Sequence, residues 1–339
     1  MADEQRITLA HGSGGRASAE LISEVFIAAF ADEAGAALED AAVLPAGAGR
    51  VALTTDSFVV RPRFFPGGDI GELAVCGTVN DLAVAGARPV ALTTAFILEA
   101  GLPLAELRAI VESMVRTARA AGVRLVAGDT KVVEQGAGDG VYITTAGYGL
   151  VPEDVSLGGA RLRPGDQLLV SGDIGRHEAA ILLARGQISL RAAIDSDCGL
   201  LAATAAAVLA AGGEQVRAMR DCTRGGLATV LCEWAEAAGV RLEVEQAAVP
   251  VQPAVGAVCE LLGLDPLYLA CEGRLAVAVG LEAAEAVLAA LRAQEPSAAW
   301  IGEVAEVDAS GRPRVIGRTG VGGRRVLERL TGGQMPRIC

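Results

Sequence analysis

The chain has 339 residues, and 52% of them are hydrophobic against only 3% aromatic. Two domains with Ala-, Val- and Leu-rich cores are expected, and a disordered chain is excluded. The net charge of −12 disfavours nucleic acid and anionic membranes, both of which select clustered cations.

The start, Met1-Ala2-Asp3-Glu4, is acidic and unlike a signal peptide. Residues 1–152 alternate strand and helix patterns, as an α/β domain does. Val51 to Thr55 reads as a strand closed by Asp56, Ile70 to Ala85 as a helix and Val90 to Leu98 as a strand. Leu104 to Ala121 is an amphipathic helix pattern, Val123 to Ala127 a strand followed by Asp129, and Gly140 to Leu150 a strand. Pro152 to Gly159 reads as a linker. A second block spans 160–330, with strands at Gln167–Ser171, Arg241–Glu245, Leu275–Val279 and Ser297–Val307. Its helices are expected at Glu178–Leu183, Cys198–Ala211, Leu227–Ala238 and Glu282–Gln294, a mixed α+β pattern. The two histidines, His11 and His177, are far apart in the chain, and His177 is expected at the surface rather than in catalysis. The uncharged run Cys198 to Gly213 is the longest and falls short of the ~20 residues of a membrane span. Residues 331–339 read as a flexible tail. Seven scattered cysteines without a Cys-x-x-Cys point to a reducing, cytoplasmic location and against a disulfide frame or a zinc site.

Several residues suit chemistry. Asp40, Asp56, Asp81 and Asp129 sit at ends of apolar runs or beside glycines. Converging carboxylates are hard oxygen ligands for Mg²⁺, which in turn suits a polyphosphate; each alone serves equally as a cap or turn former. His11-Gly12-Ser13-Gly14-Gly15 and Arg224-Gly225-Gly226 are candidate anion loops, or ordinary turns. Glu272 follows an apolar stretch, where a carboxylate becomes either a desolvated base or a solvated loop acid. Among 29 basic residues only Lys131 is a lysine. A compact, deprotonatable charge is what arginine cannot supply. Cys339 ends the chain, and an arm from Gly332 to its sulfur reaches on the order of 27 Å at ~3.3–3.6 Å per residue.

Seven segments together resemble one family: His11-Gly-Ser-Gly-Gly15, Glu39-Asp-Ala-Ala42, Thr54-Thr-Asp-Ser57, Gly77-Thr-Val-Asn-Asp-Leu-Ala-Val-Ala-Gly-Ala87, Ala127-Gly-Asp-Thr-Lys-Val-Val133, Thr223-Arg-Gly-Gly226 and Glu272-Gly273. With the terminal Pro336-Arg-Ile-Cys339, the chain resembles the hydrogenase-maturation carbamoyl dehydratases (HypE) of the AIR-synthetase-like, PurM-like ATP-binding superfamily. The resemblance covers essentially the whole chain. Cys222, Cys271, Arg274 and Glu178 stand where proline, asparagine, lysine and glycine are commoner in that family.

The resemblance implies a two-domain PurM-like fold. Its α/β N-terminal domain would pair in a homodimer around a central β-barrel, followed by a mixed-sheet α+β domain. It implies an S-carbamoyl group placed on Cys339 by the carbamoyltransferase HypF and dehydrated to thiocyanate at the expense of ATP. The cyano group would pass to iron on a HypC–HypD complex. Asp40, Asp56, Asp81 and Asp129 would hold Mg²⁺. His11, Gly12, Gly14, Asn80, Thr130, Arg224 and Gly225 would hold the nucleotide, and Cys339, Lys131 and Glu272 would carry the chemistry. The alternative is a superfamily synthetase or kinase acting on a free small molecule.

Overall fold

The computed structural model describes residues 15–21, 42–45, 49–186, 192–307 and 311–332. In the N-terminal half, β1 (Ala42–Pro45), β2 (Arg50–Phe58), β5 (Arg88–Glu99), β6 (Arg124–Val133) and β7 (Val141–Val151) form one sheet. Its order is β1-β2-β7-β5-β6, antiparallel except for the parallel β5–β6 pair. A small β3–β4 ribbon (Phe64–Phe65, Gly68–Asp69) leads into a helix. The described helices of this half are α1 (Arg16–Leu21), α2 (Ile70–Val84) and α3 (Leu104–Ala120).

Alternation along β2 and β7 decides which face is covered. Ala52, Phe58, Ile143 and Thr145 are buried on one side, and Leu53, Tyr148 and Leu150 are exposed on the other. Helices α2 and α3 cover the first side through Leu73, Val79, Ile110 and Met114. The second side is open. The sheet does not close into a barrel within one chain: among the described residues, β1 and β6 remain edges.

The C-terminal half is a seven-stranded mixed sheet in the order β14-β13-β10-β12-β8-β11-β9. Its strands are β8 (Gln167–Val170), β9 (Val216–Asp221), β10 (Arg241–Glu245), β11 (Leu275–Val279), β12 (Ala299–Ala305), β13 (Arg314–Arg318) and β14 (Arg324–Leu327). The β10–β13 pair alone is parallel. Here both faces are covered, as the near-continuous apolar runs of β8 and β11 require. Leu168, Val170, Ala276 and Ala278 meet α6 (Gly226–Ala238) through Trp234 and Leu231. Leu169, Leu275, Val277 and Val279 meet α5 (Ala202–Gly212) and α8 (Leu281–Gln294). Two further helices, α4 (Arg176–Ala184) and α7 (Pro253–Leu262), share a smaller core. No described helix is long and apolar enough to cross a membrane.

Three sequence expectations change. Asp129 does not follow its strand but lies inside it, because β6 continues to Val133 alongside β5. Strand β9 and helix α7 are additional elements, as are β13 and β14 at the sheet edge. His177 is not at the surface: it is fully buried, its Nδ1 is 2.8 Å from Ser196 Oγ, and its ring meets Phe65 edge-on at 5.5 Å.

Candidate active site

Helix α2 sets the geometry where the two halves meet. Asp69 caps it, its Oδ1 accepting from the N–H groups of Gly71 at 2.7 Å and Glu72 at 3.1 Å. The helix is buried on nearly every side, as one with apolar residues all round must be. Its last residues, Ala83 and Val84, belong to the C-terminal core, so α2 spans both halves. At Gly77 a Cβ would stand 2.8 Å from the Phe58 ring and 3.8 Å from Asp56 Oδ2. Its absence lets β2 lie close, with Asp56 turned toward the helix.

One turn on, Asn80 pins two C-terminal loops. Its Nδ2 donates to the carbonyls of Gly199 at 2.9 Å and Glu272 at 3.3 Å, and its Oδ1 accepts from Leu201 N–H at 2.7 Å. The side chain is thus spent on protein contacts and positions the Glu272 backbone. Its neighbour Asp81 accepts from Thr54 Oγ1 at 2.7 Å.

Across the junction, β9 ends at Asp221 and a turn through Arg224 and the left-handed Gly225 (φ 77°) opens α6. Cys222 N–H donates to Arg274 O and Cys271 N–H to Cys222 O, both at 2.9 Å. The Glu272 loop is therefore strapped beside that turn. Glu272 N–H donates to Asp197 Oδ1 at 3.3 Å. At Gly273 a Cβ would fall 1.9 Å from Asp197 O, so only glycine permits this close approach.

The result is a crowd of buried acids. Burial holds the Glu272 carboxyl well above the usual range, helped by Asp221, Asp197 and Asp56 and opposed by Arg224. Burial, against the nearby Arg220 and with Asp56 adding to it, pushes Asp221 up to about 6. Burial likewise raises Asp197, against the pull of Arg274. Perturbed carboxyls gathered where the two halves meet make this junction the functional-site candidate. Asp221 and Asp197 escaped the sequence reading, although Asp221 closes a strand just as Asp56 was expected to and stands two residues before the Thr223 motif.

The departures from the family pattern line the same loops. Cys222 and Cys271 are fully buried, and Cys271 Sγ accepts from Gly175 N–H at 3.1 Å. Arg274 bonds Asp173 Oδ1 at 2.7 Å and Gly273 O at 3.0 Å. Glu178 accepts from Ala270 N–H at 2.7 Å, and burial pushes its carboxyl up to about 7.

Asp129, Thr130 and Lys131 lie elsewhere. Asp129 is in register with Ala95, Thr144 and Ser57, on the open face opposite the one Asp56 uses. It is three strands from Ser57, about 14 Å at ~4.8 Å per strand. Lys131 Nζ bonds both oxygens of Asp129, at 2.9 and 2.7 Å. Both side chains are exposed, 71% and 64%. This lysine, with the Thr130 N–H, holds the Asp129 carboxyl below its usual range. Asp56, Asp81 and Glu272 thus share the junction with Arg224, whereas the Asp129–Lys131 pair does not join them within one chain. His11, Gly12, Gly14, Asp40 and Cys339 lie outside the described residues.

Known proteins share this architecture. Residues 38–151 match the family model for the N-terminal domain of AIR synthase related proteins, and residues 163–312 the model for the C-terminal domain. The chain is 52% identical to carbamoyl dehydratase HypE of Rhodobacter capsulatus, over 99% of each chain. It superposes on HypE in a crystal structure of the HypE–HypF complex with a TM-score of 0.86 and 43% identity, covering 91% of this chain and 99% of that one. A crystal structure of HypE in complex with ATP gives 0.82 and 45%, covering 98% and 100%. A two-layer match of this kind, in sequence along the whole length and in fold, places the chain in the HypE carbamoyl dehydratase family of AIR synthase related proteins.

Proposed function

We propose that this chain is an ATP-dependent carbamoyl dehydratase that converts an S-carbamoyl group on its own Cys339 to thiocyanate, supplying cyanide ligands for the iron of NiFe hydrogenase. The observation that carries this reading is the buried, acid-crowded Glu272 in a chain that carries Cys339 and follows the HypE family along its length.

The chemistry asks for few things from the protein. A primary carbamoyl oxygen is a poor leaving group in water. Its attack on the γ-phosphorus of ATP expels ADP and turns that oxygen into phosphate. Loss of phosphate from carbon and of the remaining N–H proton then leaves the C≡N triple bond, and overall one water's atoms go to phosphate. Positioning and charge neutralisation dominate phosphoryl transfer. Arg224, on the turn into α6, faces the acids with positive charge. Glu272, whose backbone Asn80 and Asp197 fix, would take the N–H proton. Its buried setting keeps bulk water from the phosphorylated intermediate.

The carboxylate excess at the junction fits Mg²⁺, since its donors are all hard oxygens. Asp56, Asp81 and Asp221 are the candidate holders from the described residues, with Asp40 and Asp129 as the sequence implies. When bound, Mg²⁺ neutralises triphosphate charge.

The open sheet face supports the homodimer. Leu53, Ile97, Val126, Tyr148 and Leu150 are all exposed on the sheet, Val126 by 54%. Two such sheets facing each other would bury these side chains and form the barrel that one chain does not close. That pairing carries Asp129 and Lys131 into the dimer interface, and we assign Lys131 to the partner's site, where it neutralises phosphate. HypF would load the carbamoyl group, and a HypC–HypD complex would receive the cyano group.

Mass spectrometry of the C-terminal peptide tests the reaction. After incubation with HypF, a carbamoyl donor and ATP, the carbamoylated peptide should lose the mass of one water, with ADP released. Cys339→Ala should remain folded and bind ATP yet release no ADP in response to the donor system. ADP release that proceeds equally without Cys339 would instead establish a kinase or synthetase acting on a free small molecule.

A further inference from the structure

Zinc sites are usually sought as Cys-x-x-Cys pairs, and this chain has none. Folding nevertheless brings two cysteines and a carboxylate together across the domain junction. Glu72 and Cys76 are one turn apart on α2, and Cys198 comes from the loop that precedes α5. One ligand atom of each lies within 4.8 Å of the other two. Cys76 is buried, while Glu72 and Cys198 are partly exposed.

We propose that Glu72, Cys76 and Cys198 form a binding site for a thiophilic divalent cation, Zn²⁺, with water as its fourth ligand. Two soft sulfurs and one carboxylate are a donor set Zn²⁺ accepts in tetrahedral geometry. Mg²⁺, which takes oxygen ligands, is excluded by the same chemistry. Binding displaces one proton from each thiol: Zn²⁺ and two S–H groups give two Zn–S bonds and two H⁺.

The site lies outside the acid cluster assigned to ATP chemistry, yet it is coupled to it. Cys198 directly precedes Gly199, whose N–H donates to Glu272 O at 3.3 Å and whose carbonyl accepts from Asn80 at 2.9 Å. Cys76 lies one turn before Asn80 on the same helix face. An ion here would staple α2 to the loop that backs Glu272 and limit movement between the two halves.

Cobalt reports the site directly. The full chain, stripped of metal and kept reduced, is titrated with Co²⁺ in a Cys339→Ser background that removes the tail thiol. One equivalent should produce thiolate-to-cobalt charge-transfer absorption in the near ultraviolet. Cys198→Ser should about halve that band and weaken binding at least tenfold, the lower end of what even an outer-shell loss costs. Glu72→Gln keeps both thiols, so it should retain the band and only weaken binding; it tests the same site if the serine variant misfolds. An absorption band that needs Cys339, or one unchanged in intensity and affinity by Cys198→Ser, overturns the proposal. So does a thiol count two short of the six cysteines that the Cys339→Ser background keeps, in denatured, metal-free, unreduced protein and restored by reductant, because the pair would then be a disulfide.

Discussion

Two acidic regions of this molecule are built on opposite principles. On the open face of the first sheet, Asp129 is exposed, paired with Lys131 and held below its usual range. At the domain junction, Asp221, Asp197 and Glu272 are buried with like charges and held above it. Exposed, paired charge costs the fold almost nothing and adds little to it. Buried, crowded charge destabilises the ionised form and persists only where other contacts over-determine the site. Here the tether of Asn80, the Cys222–Cys271 backbone bond and the close approach at Gly273 supply that constraint. The junction is thus built around groups that must change protonation or meet cations, and the open face around groups that must meet another surface.

Removing the buried acid is the sharpest way to break this contrast. Glu272→Gln should lower carbamoyl-dependent ADP release by about 10²–10⁴-fold, the range of general-base contributions. It should also make the protein more stable at pH 8 relative to wild type. The reason is the sign of the shift: ionising a buried carboxyl costs the native state more than the unfolded chain, so its contribution is present at low pH and lost as pH rises. Melting curves at pH 5 and pH 8, beside turnover, decide it. Wild-type turnover in the variant would remove Glu272 from the chemistry.

The exposed pair is tested by mixing subunits. Lys131→Ala alone should cost about 10²–10³-fold in turnover, as loss of one positioned charge does. If Lys131 serves the partner's site, it should be rescued by Glu272→Gln. Random reassortment of the two inactive dimers leaves half of the dimers mixed, each with one intact site, so about a quarter of wild-type activity returns. No recovery after verified reassortment would confine Lys131 to its own chain's site.

Much of this contrast was legible in the residues, and the reasons for the rest are physical. Helix α2 matches the expected Ile70 to Ala85 to within a residue at each end, because its apolar residues recur at helical spacing between Asp69 and Gly86. Strand β6 was cut short at Ala127, since Gly128 and Asp129 are poor strand formers. Pairing with β5 overrides that preference as far as Val133. Strands β13 and β14 owe their state to each other and to β10, contacts that no local window contains. In the site, Glu272 and the Arg224 turn were visible through motif and apolar context. Asp197 and the buried setting of His177 were not, because both depend on the loop before α5 folding back under the junction. The Asp56–Asp129 separation was equally hidden: strand-end position shows that a carboxylate is at a rim, and only register shows on which face.

Glu178 carries the comparison to a smaller effect and to a position where this chain departs from its family. Its carboxyl, raised from 4.5 to about 7 mainly by burial, anchors the loop leading to Glu272 through Ala270 N–H. Below about pH 4.5 both native and unfolded forms are protonated and the native hydrogen bond is intact. As pH rises toward 7 the unfolded chain ionises first, and stability falls by about 3 kcal/mol for a shift of this size. Glu178→Gln should flatten that part of the profile in denaturant titrations between pH 4.5 and 8. An unchanged slope would mean that this carboxyl ionises freely in the native protein.

The smallest expected effect belongs to Asp129. Among the described residues its partners on the open face are Lys131 and the adjacent Thr130 N–H, and a solvent-exposed ion pair is screened by salt and opposed by side-chain entropy. Asp129→Asn should therefore leave the melting temperature unchanged at 0.15 M and at 1 M salt, even where it impairs turnover. The matching measurement at the junction is Asn80→Ala, which removes a hydrogen bond from each of three backbone groups, Gly199 O, Glu272 O and Leu201 N–H, and should lower stability by about 1–3 kcal/mol. The two variants separate a charge kept for an encounter from an amide kept for the fold. A clear drop in melting temperature for Asp129→Asn would show that the open-face pair already bears structure within the native assembly, and the division between the two acidic regions would have to be redrawn.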